Sequence, residues 1–374
     1  TLKVDGIRSN SASSDAITLA SDGTCTANIT NNLSNRNVIV NGKCQIAQRG
    51  VSSTSSGYGS VDRFKMSVTN TDELAFAQKQ TSDGPDGFEK CFEFDVTTAE
   101  STLASDELVY LRYGVEAQDL TPFYNANGSG KDFVLSFYVK AYQAGTYQVS
   151  IYKSDSPRFI TKTYTISSSG VWQRIELAFT GDTGAYAVDD NNEVGFWLDF
   201  KLAAGTDYTS GGQVTTWGSF GNSLFAGGHA VNVLSSTDNY WRITGIQLEL
   251  DSGSGKATDF EHRSYGQELA LCQRYYQKTY SGDNVGFHGI PLSASPLCYG
   301  QAMFIREMRA NPTMVLKDGT GATGKVTQHG VNYFDATAGG IQKNGFTTVS
   351  RPSGNFGGDA LNPVQGGYTA DAEI

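Results

Sequence analysis

Residues 132–141 read DFVLSFYVKA, and this stretch decides the fold. Apolar and polar residues alternate along it, and in an extended chain successive side chains point to opposite sides. The next stretch, residues 146–153, reads TYQVSIYK and repeats the alternation. Such period-two patterning predicts β-strands with one buried face. The residues expected on that face are Phe133, Leu135, Phe137, Val139, Tyr147, Val149 and Ile151.

Further segments carry the same alternation. They are residues 158–166, 171–179, 193–203 and 240–250. In the last segment the alternation changes phase across Thr244 and Gly245, which predicts a β-bulge. Half-buried strands separated by turns rich in Gly and Asn are typical of two antiparallel sheets packed face to face. The sequence therefore predicts an all-β fold, a jelly-roll β-sandwich over residues 37–263.

The composition argues against several classes of protein. The 374 residues carry a net charge of −10 and no cluster of Lys and Arg, so we expect no binding to nucleic acid. No apolar run reaches about 18 residues, so we expect no membrane insertion. The first residues lack an apolar signal core, which argues against an ordinary secreted precursor. The five cysteines are irregularly spaced with no CxxC pair, which favours a chain folded in reducing cytosol without disulfides or zinc.

Three regions flank or follow the predicted sandwich. Residues 1–36 are rich in Ser, Asn, Asp and Thr, and we expect an extended N-terminal arm for attachment or oligomerisation, with a floppy tail as the alternative. Residues 264–279 are predicted to form a linking helix. Residues 280–374 hold short, Gly-rich strands and are predicted to form a smaller C-terminal β domain, in which residues 368–374 are the terminal strand.

The linking helix is predicted from a change of period. Apolar residues after Arg263 are spaced at i, i+3 and i+7, which favours a helix over about residues 265–277. Ser264 and Gln267 have the spacing of a capping box at its start. We interpret the whole region as a structural hinge between the sandwich and the C-terminal domain. Its packing residues are expected to be Phe260, Tyr265, Leu269, Cys272 and Tyr276.

The same region is the densest in potentially reactive side chains. Residues 257–278 include Asp259, Glu261, His262 and Cys272, which could in principle serve acyl transfer. Adjacent residues on an extended segment point to opposite faces, however, so Glu261 and His262 cannot line one pocket. A cysteine on the apolar face of a helix is usually inert. The structural interpretation is therefore favoured.

Two other groups could carry chemistry, but neither has a decisive spacing. Isolated histidines offer no metal-binding pattern. Glycoside hydrolysis needs two carboxyl groups at a fixed separation, which a sequence does not give. We therefore expect no catalysis, no metal and no cofactor. The histidines are His229, His288 and His329, and the acidic residues are Asp182, Asp189, Asp190 and Glu193.

Aromatic residues are the more informative candidates. Trp197 falls out of phase with its apolar neighbours, so it should face outward from its sheet. Tyr208 and Trp217 lie in predicted loops rich in Gly, Ser and Thr. Exposed aromatic rings on a jelly roll can stack on sugar rings, so these three residues are the candidate glycan-binding residues. The alternative is that they cover the ends of the sandwich or lie in a subunit interface.

Several stretches resemble proteins of tailed bacteriophages. TLKVDGIRSNSASSDAITLASDGT, residues 1–24, resembles the opening of virion fibre proteins of marine and cyanobacterial phages. The stretches NVIVNGKCQIAQRG and FVLSFYVKA, together with WRITGIQLELDSGSGKATDFEHRSYGQELALCQRYY, resemble a module of phage tail-fibre proteins. That module is similar to the carbohydrate-binding jelly rolls of glycan-active enzymes. NGFTTVSR and GGYTADAEI resemble the C-terminal strands of the same proteins.

The resemblance implies a location in the virion and a repeated, trimeric assembly, and it brings no catalytic motif. It leads to the hypothesis of a tail fibre or spike protein that folds in the host cytoplasm and adsorbs the phage by binding host surface polysaccharide. The N-terminal arm would bind other virion proteins. Two alternatives remain open: a head-decoration, cement or head-fibre protein that stabilises the capsid, and a polysaccharide depolymerase.

Overall fold

Most strands of the computed structural model belong to three antiparallel sheets, two in a central sandwich and one in a C-terminal domain. The structure describes residues 4–8, 10, 17–19, 21, 25–27, 35–184, 188–279, 286–292, 295–328, 330, 332–357 and 362–374.

The predicted N-terminal arm contains, in its described residues, a small sheet of its own. Its strands are β1 Gly6–Ile7, β2 Ile17–Leu19 and β3 Cys25–Ala27. β2 pairs antiparallel with both neighbours, and the amide of Leu19 donates to the carbonyl of Asp5 at 2.8 Å. Strands of two or three residues bury little apolar surface, so the segment has few means of stabilising itself.

Two six-stranded sheets form the sandwich, as predicted. Their strands in chain order are β4 Ser52–Ser53, β5 Phe64–Thr69, β6 Ala75–Thr81, β7 Cys91–Thr98, β8 Leu108–Glu116, β9 Phe133–Ala141, β10 Gly145–Lys153, β11 Arg158–Ile166, β12 Gln173–Phe179, β13 Val194–Ala204, β14 Gly218–Ser219 and β15 Tyr240–Leu250. The front sheet has the order β14-β11-β10-β13-β8-β5, and the back sheet has the order β12-β9-β15-β7-β6-β4. Successive strands cross repeatedly between the two sheets, which is the connectivity of a jelly roll.

Short helices occupy some of the connections. They are the 3-10 helices Ala117–Phe123, Asn222–Leu224 and Val233–Ser235 and the α-helix α1 Thr206–Thr209. Among the described residues, no helix combines the length and the apolar character needed to cross a bilayer.

The sandwich core is built by the inward phase of the alternating strands. Phe137 of the back sheet meets Phe200 of the front sheet edge to face, with ring centroids 5.1 Å apart. The Trp241 ring lies 6.0 Å from Phe200 and is fully buried. Burying each such ring is worth about 1.5–3 kcal/mol of transfer free energy, so the predicted apolar faces account for most of the cohesion between the sheets.

The predicted β-bulge is confirmed. The register between β15 and β9 shifts between Thr244 and Gln247, where the apolar phase of the sequence changes. Gly245 adopts φ +62°, and a Cβ there would lie 2.9 Å from ring carbons of both Phe88 and Tyr138. Glycine is therefore required here both by the backbone conformation and by the close approach of two rings.

The linking helix is shorter than predicted. Helix α2 spans Tyr265–Cys272, and the capping box between Ser264 and Gln267 is present. Tyr276 belongs instead to a strand, β16 Tyr276–Lys278. Tyr276 is buried and lies four positions after Cys272, which is compatible both with a longer helix and with a short turn followed by a strand. Tyr276 forms a strand because it pairs with Asp371 near the C-terminus. Tyr265 was expected to pack on the sandwich but is 59% exposed.

The C-terminal domain is a nine-stranded sheet with a core of its own. Besides β16, its strands are β17 Phe287–Pro291, β18 Leu297–Met303, β19 Thr313–Lys317, β20 Lys325–Gln328, β21 Asn332–Asp335, β22 Thr337–Gly339, β23 Gly345–Ser350 and β24 Val364–Asp371. The predicted terminal strand, β24, lies at the centre and pairs with β16, β17, β19 and β20.

The last residues of the chain return to the sandwich and form a C-terminal clasp, defined here as Arg49, Arg63, Asp371 and Glu373. The buried Arg63 pairs with Glu373. Arg49 binds Asp371 at 2.9 Å and Glu373 at 3.3 Å. The Arg63 guanidinium carbon also lies 3.4 Å from the ring centroid of Tyr275, which follows α2. The clasp therefore joins the two domains through ion pairs, of which the pair between Arg63 and Glu373 is buried.

We expect Arg63→Ala to lower the free energy of unfolding by about 3–5 kcal/mol, because it leaves the Glu373 carboxylate buried without its partner. Urea denaturation measures the change. Arg63→Met combined with Glu373→Leu should destabilise less than Arg63→Ala alone, since no unpaired charge remains. Lys325→Ala is the control: it removes an ion pair with Asp335 whose side chains are 40% and 75% exposed, and should cost under about 1 kcal/mol. Equal effects for Arg63→Ala and Lys325→Ala would contradict the argument.

Candidate functional site

The outer surface of the front sheet gathers aromatic and charged side chains. Alternation along β13 turns Phe196 and Leu198 into the core and Trp197 outward. Strand register then places Trp197 beside Tyr152 of β10 and beside Gly114 of β8. The prediction that Trp197 faces outward agrees with its half-buried position on this surface. We call the surface formed by Tyr110, Arg112, Tyr152, Trp197 and Phe220 the front face.

Trp197 lies against the sheet because its neighbour has no side chain. A Cβ at Gly114 would be 2.9 Å from Cζ3 of the indole. A residue of any other type would lift the ring away, since real Cβ atoms do not approach that closely. The Arg112 guanidinium carbon lies 4.7 Å from the centroid of the same ring. The indole is therefore held in place from two sides.

An ion pair fixes Arg112 in turn. Its Nε and Nη2 donate to the two carboxylate oxygens of Asp199 at 2.7 and 2.8 Å. Asp199 is fully buried, whereas Arg112 is half-buried. A bidentate guanidinium–carboxylate pair is rigid and directional. The orientation of the Arg112 guanidinium next to Trp197 is therefore fixed by Asp199.

Lys201 lies two residues further along β13, under the loop that follows this strand. Its Nζ is 3.7 Å from Asp199 and donates to Ser150 Oγ at 3.1 Å. The Phe225 ring covers it, with the centroid 3.4 Å from Nζ. Burial lowers the pKa of the Lys201 ammonium to about 7, although the Asp199 carboxylate opposes the shift. The Phe225 ring therefore covers the Lys201 end of this surface, and the front face is the part that stays open.

Phe220 extends the front face toward β14. Its ring packs edge-on against Tyr152 and Phe159, with centroids 5.5 Å away in both cases. The ring remains 41% exposed, which is unusual for phenylalanine and marks a surface suited to contact.

The three predicted glycan-binding residues do not form one site. Trp217 packs against Phe196, on the opposite side of β13 from Trp197, and its Nε1 donates to the carbonyl of Thr180 at 2.7 Å. Trp217 is therefore a half-buried cover of the sandwich end. Tyr208 is also half-buried, in α1, with its hydroxyl 3.4 Å from the carbonyl of Asp106. These contacts fit the alternative that Trp217 and Tyr208 cover the ends of the sandwich, and their binding of a glycan stays a prediction.

The predicted hinge residues have mixed positions. Phe260 packs edge-on against Phe88 at 5.0 Å, and Cys272 is fully buried with Leu269 packed beside it. Glu261 accepts the backbone amides of Asn35 and Asn37 at 2.6 and 2.8 Å. Glu261 thus ties the start of the sandwich to its end, as expected of a structural rather than a catalytic residue.

His262 and Glu261 both border one depression of the surface, so the expectation that they line no common pocket is wrong. The His262 ring lies 4.9 Å from Phe260, on the outer surface of the back sheet. Burial, followed by the nearby Lys43 ammonium, lowers the pKa of His262. Burial raises the pKa of the Cys272 thiol well above its usual range. These side chains are not assembled into a nucleophile and its base.

The other candidates for chemistry are likewise dispersed. Asp182 binds Lys153 at 2.8 Å and Arg158 at 2.7 Å. Burial alone would raise the pKa of Asp182, but these bonds outweigh it and lower the pKa. Asp189, Asp190, Glu193 and His288 are exposed, and His329 lies outside the described residues. Burial lowers the pKa of His229 to about 4.

One carboxylate cluster has an arrangement that a cation could use. Oxygens of Asp72, Glu100 and Glu107 lie within 4.8 Å of one another. Glu100 and Glu107 are buried, and each accepts a backbone amide, from Glu73 at 2.9 Å and from Ala104 at 2.8 Å. Burial, with repulsion from Glu100, raises the pKa of Glu107. The backbone bonds give both glutamates a role in shaping the loops.

No family model and no curated protein sequence matches the chain. Solved structures resemble it at low identity. The enzymatically active domain of tailspike protein 4 of bacteriophage CBA120 is 13% identical with a TM-score of 0.31, covering 57% of this chain and 21% of that one. A protein from Bacteroides thetaiotaomicron described as sugar-binding is 14% identical with a TM-score of 0.31, covering 58% of this chain and 100% of that one. The family 11 carbohydrate-binding module of Clostridium thermocellum Lic26A-Cel5E is 11% identical with a TM-score of 0.28, covering 54% of this chain and 95% of that module. The chain spans about a fifth of the tailspike domain.

The lowered pKa of Lys201 predicts a specific dependence of stability on pH. The unfolded chain binds this proton up to about pH 10.5, whereas the folded chain releases it near pH 7, so folding is penalised most below pH 7. The penalty disappears as the pH rises toward 10.5. We therefore expect the stability of the wild type, relative to Lys201→Met, to rise between pH 7 and 10 by up to about 1.4 kcal/mol per pH unit. Urea denaturation of both proteins at each pH tests this, and parallel pH profiles would contradict it.

Proposed function

We propose that the protein binds a host surface polysaccharide through the front face of its jelly roll and serves as a fibre or spike protein of a phage virion. The observation that carries the binding proposal is the half-buried Trp197 indole, which packs against Gly114 and has the Arg112 guanidinium over its ring. The proposal of a virion role is supported by the stretches that resemble phage fibre proteins, among them FEHRSYGQELALCQRYY at residues 260–276.

The chemistry of the front face suits a sugar chain. The axial C–H groups of a pyranose ring form an apolar surface that packs on an aromatic ring, here Trp197 or Phe220. Sugar hydroxyls need fixed polar partners beside that contact. Arg112 supplies donors whose direction is set by the buried Asp199, and the Tyr152 hydroxyl lies in the same row as Trp197. An open face of this kind admits internal residues of a long polymer, not just its ends.

Binding without cleavage is part of the proposal. Glycoside hydrolysis needs a carboxylic acid and a carboxylate that converge on one bond. The front face brings in a single carboxylate, Asp199, whose oxygens are both taken up by Arg112. Asp182 is engaged by two cationic side chains. These contacts favour an adsorption role over depolymerase activity.

Weak sites become effective when many act together. A shallow face with one or two stacking rings gives modest affinity, and linking several copies raises the effective concentration of the next site. We therefore propose that the chain acts as a closed oligomer, a trimer, and that its N-terminal segment attaches it to other virion proteins. The shortness of strands β1 to β3, two or three residues each, supports a segment that needs partners.

Trp197→Ala should weaken binding of the assembled protein to host polysaccharide by about tenfold or more, because a stacking contact worth roughly 1–1.5 kcal/mol per site is lost at every copy. A glycan array with host envelope polysaccharides, read for both proteins, measures the effect. Gly114→Val should have a similar effect by lifting the indole without removing it.

Tyr265→Ala is the matched control, because Tyr265 is an exposed aromatic residue on α2, away from the front face. It should bind as the wild type does. If the wild type binds no polysaccharide, the proposed adsorption role is wrong and the alternative of a capsid-stabilising protein is favoured. Release of reducing ends from the same polysaccharides would refute the proposal of binding without cleavage.

A further inference from the structure

A second recess lies on the opposite side of the sandwich, where β15 bulges away from β9. It has a volume of about 220 Å³ and is lined by Asp86, Phe88, Ser136, Tyr138, Arg174, Gly245, Asp259, Phe260 and His262. We call it the back-sheet pocket. It shares no residue with the front face.

We propose that the back-sheet pocket binds a single neutral pyranose, either a free monosaccharide or the terminal residue of a glycan. The assignment rests on the size of the pocket, its aromatic walls and the presence of both carboxylate and guanidinium groups in its lining. It does not depend on binding at the front face.

Size limits the ligand to one ring. A water molecule occupies about 30 Å³ in the liquid, so 220 Å³ corresponds to about seven water molecules. That is below the roughly 300–1,000 Å³ of pockets that hold drug-sized ligands, and well above the space needed by an ion. A polysaccharide chain would therefore enter only with one residue.

The walls are rigid aromatic rings. Phe88 is buried and contacts three other rings, with centroid distances of 5.2 Å to Tyr138, 5.0 Å to Phe260 and 5.3 Å to His262. Gly245 lets Phe88 and Tyr138 approach the backbone of the bulge. Phe260 and Tyr138 remain half-buried, so parts of their rings are available to the C–H groups of a sugar.

The rim is fixed as well. Register pairs Arg174 of β12 with Tyr138 of β9 on the outer surface of the back sheet. Nη2 of Arg174 donates to the carbonyl of Thr258 at 2.7 Å, which fastens the segment carrying Asp259 and Phe260 to the sheet. The pocket is therefore held by contacts that exist without a ligand.

The charges select for a neutral polyol. Two exposed carboxylates, Asp86 and Asp259, repel a phosphate or an acidic sugar, and Arg174 weakens the attraction that these carboxylates and the rings have for a quaternary ammonium. Carboxylates accept hydrogen bonds from hydroxyl groups, and the guanidinium donates to them. Alternating acceptors and donors around apolar walls match the edge and the faces of a pyranose.

Titration of the full chain with the methyl α-glycosides of glucose, galactose and mannose, followed by saturation-transfer NMR and calorimetry, tests the proposal. At least one glycoside should bind, and Phe260→Ala should weaken it by about tenfold or more, the loss expected for one aromatic contact of roughly 1.4 kcal/mol. Asp259→Asn, which preserves the shape of an exposed side chain, should weaken the same glycoside severalfold. Tyr265→Ala should leave its affinity unchanged.

Other outcomes would overturn the assignment. They are binding of none of the three glycosides, binding unaffected by both Phe260→Ala and Asp259→Asn, and preferential binding of tetramethylammonium. Loss of glycoside binding in Trp197→Ala with retention in Phe260→Ala would place the monosaccharide at the front face, so the pocket proposal would fail while the proposed function stands. If Trp197→Ala alone abolished polysaccharide binding and no glycoside bound to the protein, the pocket proposal would again fail while the proposed function stands.

Discussion

The buried Arg63 guanidinium is the constraint on which the arrangement of the two domains depends. It lies between the rings of Tyr113 and Tyr275 and pairs with Glu373. Its backbone adopts φ 74°, a conformation that costs a non-glycine residue of order 1 kcal/mol and persists only where the surroundings enforce it. Since an unpaired buried charge is far costlier, the chain end must return to the sandwich. The central strand of the C-terminal sheet, β24, is positioned by that return.

The same arginine connects domain docking to the front face. Its Nη2 donates to the carbonyl of Gly114 at 2.6 Å, and Gly114 is the residue over which Trp197 lies. Cδ1 of Ile374 would lie 3.5 Å from a Cβ at Gly114, so the last residue of the chain borders the same spot. The surroundings of Gly114 on the front face therefore include Ile374, a residue that lies outside the sandwich strands. A strand glycine that packs poorly in isolation is stabilised here by a carbonyl bond on one side and an aromatic ring on the other.

Local pattern was enough to predict the strands, the bulge at Gly245 and the outward direction of Trp197, because each depends on residues adjacent in sequence. The partnership of Arg112 with Asp199 was not predictable, since it depends on the register between strands 87 residues apart. The packing of the Trp217 ring against Phe196 was not predictable, because the composition of a loop does not reveal that a ring folds back onto the core. Tyr276 satisfied helical spacing, and only its long-range pairing with Asp371 decided for a strand. The back-sheet pocket was not predictable either, because five segments that are separate in the sequence meet at one bulge.

The two surfaces suit different parts of a glycan. The front face is open and built on a flat indole, so a polymer can pass across it in either direction. The back-sheet pocket is a recess of about the size of one sugar ring, so it suits a single residue of a chain. Because they lie on opposite sheets of one sandwich, a single rigid chain segment cannot fill both, and occupation of one places no steric demand on the other. A copy that uses both would hold two polysaccharide chains at once, and copies grouped in an oligomer would gain avidity from either surface. The bulge at Gly245 is then more than a local irregularity: it converts the outer side of an ordinary sheet into a pocket.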